Sequence, residues 1–493
     1  MFQFPTLLLD SSLHLTTPNR PKVLAWRSSK YFVKERAMPQ YLSPGVYVEE
    51  VPSAVKAIAG VSTSIPGFIG IVPDEVNSPF VDVVIDEPVG KGDGTKKVFN
   101  LSRYPVVTDA DTFKIKVKGN PTEATLSNDE TKKVSQVTFA AAPANEDAIT
   151  ADYRPFFLPI EAGVVKLCTN FSQFKQFFGD FSQDTKHNYL VHAVYGFFNN
   201  GGSSCYVVRI KDAKTEIDKA LNAFATIDPI SLVAIPGNTD DAIRDKVVAH
   251  CKATSDRFAI LDGPSTADDL TTLTKIPNSG VMPKRTDLAA WYFPWIKVFD
   301  PIINGSLAVP PSGHLAGVYA RVDNERGVFK APANEVIFGA QDVSQPLSKA
   351  DQDNLNPKGV NCIRVLNGNI LVWGARTVGG DDNADLKYIN VRRTLLFLRE
   401  SIDEGTQWVV FEPNTPALWQ QITRNVSAFL TNVWRSGALF GNTPQEAFYV
   451  KCDAENNPPE LRELGQVVTE IGVAIVRPAE FVIFRISQMA QTS

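Results

Sequence analysis

The sequence predicts an α/β (α+β) protein of several domains: a C-terminal α/β core domain, a middle α/β domain, and a small β-sandwich inserted into the latter. Three observations carry this prediction. From residue 158 onward, apolar runs of helical length alternate with short β-branched runs that end at proline or glycine. Between residues 88 and 157 the helical period vanishes, and short alternating segments follow one another across polar turns. The chain of 493 residues, 44% hydrophobic and 21% charged, exceeds one ordinary domain and supplies ample core.

Composition also excludes classes of function. A formal net charge of -5 lacks the basic footprint of a nucleic-acid partner. Nothing approaches eighteen consecutive apolar residues, so no membrane span is expected. The five cysteines, Cys168, Cys205, Cys251, Cys362 and Cys452, are scattered and never form a CxxC pair, as in a reducing compartment. His187, His192 and Cys205 are the only loose group of metal-ligand type. Their spacing does not suit zinc, so neither a metal nor a cofactor is expected.

Residues 1–37 carry a basic, polar run behind a short apolar stretch. No basic region precedes that stretch, which argues against a secretory signal. They are expected to be a disordered arm or an upstream over-extension, with Met38 as the true start. An intact mass beginning at Met1 would refute that start. Residues 38–60 read as an arm and linker. There, Ser43-Pro44-Gly45 turns the chain into Val46, Tyr47, Val48, Glu49, Glu50 and Val51, a short strand closed by Pro52. Nothing beside it in sequence can pair with it. It should add to a sheet edge in the same chain or in a neighbour. Ser53, Ala54 and Gly60, in the small-residue stretch that follows, are the expected hinge.

Residues 61–89 read as strand-rich, with Val81, Val83 and Ile85 in alternation. In the inserted module, a glycine turn at 90–94 precedes strands near 98–101, 113–118, 134–139 and 148–153. The turn lacks phosphate-loop spacing and lies between strands, so it is a turn only.

Beyond residue 158, helices are expected at 172–179 (stopped by Gly179), 189–198 and 239–253. Strands are expected at 205–210, 230–235 and 258–261. Asp262 ends a strand where α/β enzymes keep catalytic groups. No G-x-S-x-G elbow accompanies it, and it reads as a turn-capping carboxylate. The aromatic run from Trp291 to Trp295 precedes Pro310-Pro311-Ser312-Gly313-His314 and a helix over 315–321. Arg321, Asp323 and Arg326 are expected to form a local ion-pair fork. Ser312 and His314 are neighbours on a Pro/Gly loop with no orienting acid at sensible spacing, so no catalytic residue is assigned.

In the last third, residues 349–357 read as a polar, acidic loop. Strands follow at 359–364 and 370–373, then an amphipathic helix over 385–402 and a buried strand over 408–413. Thr415 and Pro416 supply an N-cap and first-turn proline for a helix with Leu418, Ile422, Val426, Phe429, Leu430 and Val433 along one side. Gly437 stops it. Strands at 448–452, 465–475 and 480–487 end the chain. The last is strongly apolar through Phe481, Val482, Ile483 and Phe484.

Several stretches closely resemble contractile tail sheath proteins, the family of myophage sheaths and of sheaths from phage-tail-like contractile injection systems. They are SPGVYVEEV with GVSTS after it, the PPSGHLAGVYARVD…RGVFKAPAN run, WGARTV, YINVRR, WVVFEPN and RPAEFVIFRISQ. The resemblance spans about 38–87 and 158–490. It implies a middle sheath domain at 61–87 and 158–345, the inserted module at 88–157, and a C-terminal sheath core domain with a terminal strand at 346–493. It also implies a structural subunit and no enzyme.

The partners that it implies are further copies in a six-fold helical sheath, an inner tail tube protein, a baseplate and a tail terminator. Contraction would drive the tube through a target cell envelope. The particle, a virion tail or a phage-tail-like device, would assemble in the host bacterial cytoplasm. Strand pairing between subunits would use Val46, Tyr47, Val48 and Glu49 at one end and Phe481, Val482, Ile483 and Phe484 at the other. Arg392, Arg393 and Arg399 are the candidate tube contacts. The competing class is a virion-associated hydrolase or a glycan-binding adhesin acting through the 88–157 module.

Overall fold

The computed structural model describes residues 57–276 and 280–483. Its first strand, β1 (Pro66–Ile71), is buried over five consecutive residues, the pattern of a strand covered on both faces. The inserted region follows with β2 (Val84–Lys91), β3 (Val98–Asn100), β4 (Lys114–Val117), β5 (Asn120–Thr122), β6 (Thr125–Asp129), β7 (Val134–Thr138) and β8 (Ala148–Tyr153). They make two antiparallel sheets, β2-β8-β4-β5 and β3-β7-β6. Both sheets line one apolar cluster that includes Phe99, Ile115, Val137 and Tyr153. In the glycine turn, the Asp93 carboxylate accepts from the Thr95 and Lys96 amides, a local turn between two strands.

The chain then re-enters the main body. There it forms β9 (Val165–Cys168), α1 (Phe171–Phe178), α2 (Thr185–Asn199), β10 (Cys205–Ile210), α3 (Ala213–Ala225), β11 (Leu232–Ala234), α4 (Asp241–Thr254) and β12 (Phe258–Asp262). Asn170, Asp184, Asp212 and Asp240 cap the four helices through their side chains, satisfying amides that the helix leaves open. Helix α3 was not expected from the sequence, although Asp212 and the spacing of Ile217, Leu221 and Phe224 announce it.

Next come β13 (Ala289–Phe293), β14 (Ile296–Asp300), β15 (Gly305–Val309), α5 (Ser312–Arg326), β16 (Glu335–Val336), β17 (Ala340–Val343), α6 (Lys349–Leu355), β18 (Val360–Leu366) and β19 (Asn369–Val372). The main sheet runs β16-β19-β18-β13-β12-β11-β1-β10-β9. Its six central strands are parallel and its margins antiparallel. Gly67 faces Phe224 of α3, whereas Gly70 faces Leu190 of α2. Three residues apart on one strand, they point to opposite faces, so helices cover both sides.

The last part contains α7 (Ile389–Thr406), α8 (Pro416–Arg435), α9 (Pro444–Ala447), β20 (Phe448–Lys451), α10 (Pro459–Glu463) and β21 (Glu470–Val473). All six apolar residues expected along α8 are buried in a second core, with Thr415 accepting from the Leu418 amide as N-cap. Ile58, at the N-terminal end of the described chain, belongs to that C-terminal core.

Several expectations are corrected. The domain boundary at 345/346 cuts the main sheet, because β18 pairs with β13 through Trp291 and Val360. Residues 349–357 are helical, since Ser348 and Asp351 form a reciprocal capping box that polarity alone concealed. No buried strand occupies 408–413. A single turn of 3₁₀ helix spans Gln407–Val409, and Phe411 is fully exposed with φ of 69°. The chain must reverse there between two long helices, which a strand does not do. Residues 72–83 are mostly irregular, and β2 starts only at Val84.

Candidate functional site

The segments expected to act as arms join the folded body near residues 57–65 and 473–483. The N-terminal root is laid along α7. Ile58 sits against Gly405, where a Cβ would come within 2.6 Å of it, and Gly60 lies under the Phe397 ring. The Val61 amide donates to Ser401 Oγ at 3.1 Å. Arg393 donates to the Thr63 carbonyl at 2.8 Å, and Thr63 Oγ1 donates to Asp323 Oδ2 at 2.6 Å. Gly60, the described member of the expected hinge, is docked against α7. Its lack of a Cβ serves close packing, with a ring carbon 2.9 Å from where that Cβ would be. Val46, Tyr47, Val48, Glu49, Ser53 and Ala54 lie outside the described residues.

The C-terminal root is held at the other end of the same helix. Glu480 accepts from Arg376 Nε and Nη2 (both 2.8 Å), Asn356 Nδ2 (2.6 Å) and Tyr388 Oη (2.9 Å). Tyr388 is the N-cap residue of α7. Burial would raise the Glu480 carboxyl, but hydrogen bonds from Arg376, Asn356 and Tyr388 outweigh it and hold the pKa below the ordinary glutamate value. Two residues further along the helix, Asn390 Nδ2 donates to the Val476 carbonyl at 3.2 Å. Immediately after the clamp, Phe481, Val482 and Ile483 are 72%, 68% and 78% exposed and pair as a strand with none of the described residues. Phe484 lies outside the described residues.

The three candidate tube arginines differ. Arg393 is buried and grips Asp323 at 2.6 and 3.0 Å, with its guanidinium 4.7 Å from the Tyr319 ring centre. It is corrected from a surface contact to an internal strut, because a desolvated guanidinium needs a partner within the fold. Arg392 is half-buried beside Asp287 at 2.9 Å. Arg399 is exposed. The expected fork of Arg321, Asp323 and Arg326 does not form. Asp323 is taken by Arg393, while Arg321 reaches the Asn200 and Val336 carbonyls.

The residues weighed for chemistry have structural partners. Asp262 is buried and accepts from the Ser312 amide (2.9 Å), Ser312 Oγ (2.7 Å) and the Gly237 amide (2.9 Å). It caps the start of α5 from a neighbouring strand, and burial lifts its pKa to about 6. His314 bonds to neither Asp262 nor Ser312. Burial drives its pKa down to about 3, and its ring packs on Gly196. His187 bonds Ser182 Oγ and the Phe178 carbonyl, and His192 bonds Asp300 at 2.8 Å. They do not converge with Cys205, which lies opposite Cys168 across β9 and β10. All five cysteines are buried and free.

Comparison with known proteins agrees with the motifs. Residues 213–378 match the family described as phage tail sheath protein central domain, and residues 381–489 match phage tail sheath C-terminal domain. A prophage major tail sheath protein of Pseudomonas aeruginosa is 27% identical over 235 residues, covering 46% of this chain and 57% of that protein. The tail sheath protein of Burkholderia phage BcepMu is 28% identical over 196 residues, covering 38% of this chain and 40% of that protein. The matches thus span about half the length of these curated relatives. Among solved structures, the helical sheath of the anti-feeding prophage in its contracted state superposes with a TM-score of 0.60 at 25% identity, covering 91% of this chain and all of that one. The two family matches together take in more than half of the chain, which belongs to the phage tail sheath family.

Proposed function

We propose that this chain is the repeating subunit of a contractile sheath in a phage tail or phage-tail-like particle. It polymerises around an inner tube, and its contraction drives that tube through a target cell envelope. The observation that carries this reading is the pair of sheath-family matches lying end to end over residues 213–378 and 381–489. The fold shared with the anti-feeding prophage sheath and baseplate chains supports a helical, six-fold homo-oligomer with a baseplate partner; a tail terminator belongs to the same reading.

In this reading, Val46 to Glu49 and Phe481 to Phe484 add as strands to sheet edges on neighbouring subunits. The exposed, unladdered apolar residues after Glu480 support the second of these. One patch docking on a different patch of the next copy, without closure, generates a helix. The extended state is a kinetic trap above a contracted packing, so no nucleotide is required. Of the three arginines, Arg399 keeps the exposure that a tube contact needs. The segment from β2 to β8 acts as an inserted β-sandwich on the outer surface.

Electron microscopy of the purified chain, beside a version lacking residues 1–56, tests the assembly. Tubes from the first and dispersed particles from the second are expected. Dispersed particles from both, at high concentration, would overturn the reading.

A further inference from the structure

We propose that α7 is a strut that couples the two arms mechanically, with Glu480 and Arg393 as the positioning residues that fasten each arm to it. This rests on the sheath reading above and adds how load crosses the subunit. The two roots leave the body toward opposite ends of one helix. Thr63 meets Arg393, Val61 meets Ser401 and Ile58 meets Gly405, so the N-terminal arm departs toward the C-terminal end of α7. Glu480 meets Tyr388 and Val476 meets Asn390, so the C-terminal arm departs from the opposite end. At 1.5 Å per residue the 18 residues of α7 are about 27 Å long. Tyr388 and Arg393 are separated by about 7.5 Å of helix rise.

Both fasteners resist pulling. Glu480 fills its acceptor sites with four donors, two of them a forked pair from Arg376, whose side chain is 3% exposed. Arg393 and Asp323 are 3% and 4% exposed, and Arg393 holds the arm by its backbone carbonyl, independent of the arm's side chain there. The motifs that the sequence sets far apart thereby share one purpose. WGARTV supplies Arg376, YINVRR supplies Tyr388, Asn390 and Arg393, and RPAEF supplies Glu480. A rigid helix with both arms fixed to it passes displacement from one linked neighbour to the next without deforming the main sheet.

Hydrogen exchange on the full-length subunit, read by mass spectrometry at residues 57–65 and 473–483, tests the coupling. Strand β12 serves as the control for global opening. Glu480→Gln is expected to speed exchange at 473–483 and also, by at least about threefold, at 57–65. Arg393→Lys should do the converse. Faster exchange only at the root whose fastener was changed overturns the proposal, and so does no change at either root. Where β12 also speeds up, Tyr388→Phe, which removes one hydrogen bond and leaves the Arg376–Glu480 pair, decides by the same criterion. A failure of the unaltered chain to form tubes would instead overturn the sheath reading, and leaves the coupling measured in the subunit as it stands.

Discussion

Arg393 on α7 and Asp323 at the end of α5 meet through two hydrogen bonds, 2.6 and 3.0 Å long, with both side chains almost completely buried. Breaking such a pair from one side leaves a desolvated charge. Arg393→Ala is expected to lower unfolding stability by about 3–5 kcal/mol, read as a shift of the urea midpoint. Arg393→Ala combined with Asp323→Ala should cost less than the two single losses added together.

Helix α5 lies against α2 through glycines. A Cβ on Gly313 would sit 2.3 Å from Ala193 Cα, and one on Gly317 would sit 2.5 Å from the Phe197 carbonyl. Backbone atoms at those distances cannot swing aside. Gly313→Ala and Gly317→Ala are each expected to cost about 1–3 kcal/mol or more, measured by thermal unfolding. Gly94→Ala, in the open, should cost less despite its positive φ.

Glu480 predicts a pH dependence. Its folded pKa lies below the unfolded one, so between the two values the unfolded chain binds more protons and stability rises with pH. The clamp's contribution is fully present above the ordinary glutamate value of 4.5 and is lost as pH falls through the lower folded value. The stability difference between the native chain and Glu480→Gln should therefore be constant from pH 7 to about 5 and shrink in stronger acid. A difference that grows on acidification would contradict the clamp.

The inserted sheets should be separable. Val76 and Phe157 exchange backbone hydrogen bonds of 2.9 and 3.0 Å, which brings the two ends of the insertion together. The cluster inside it is distinct from the main core. Replacing residues 82–154 with a short Gly-Ser linker is expected to leave a folded chain that still forms tubes. Loss of folding would show that the module is part of the main body.

Phe481, Val482 and Ile483 contribute little to the isolated subunit. Phe481→Ser with Ile483→Ser should change its stability by no more than about 0.5 kcal/mol. The same double variant should abolish or sharply reduce tube formation seen by electron microscopy, because an added strand needs its alternate side chains seated.

Much of the fold was legible locally. Thr415-Pro416 and the spacing from Leu418 to Val433 specify α8 because a cap and a 3.6-residue period are properties of one segment. The strands at 205–210 and 258–262 are short β-branched and apolar runs closed by polar or turn residues, again a local pattern. Elements were misread where local signals compete. Polarity hid the capping box of α6, and the apolar run at 408–411 resembles a strand until the reversal between α7 and α8 is imposed on it. The candidate site was half legible. The apolar end of the C-terminal arm announces itself, whereas Arg393 looked like a surface charge because a helix sequence does not tell which polar position faces a buried partner.

The sequence by itself determined the class of elements, their caps and stops, the inserted β region and the family motifs, since each is written in neighbouring residues. Only the tertiary structure decided which of those motifs meet. It joined Arg376 to Glu480 across 104 positions and Arg393 to Asp323 across 70. It carried the main sheet past residue 345 into β18 and β19, and it laid Ile58 into the C-terminal core. Such contacts depend on how whole elements pack, and a periodic pattern along one segment holds no information about the segment that will cover it.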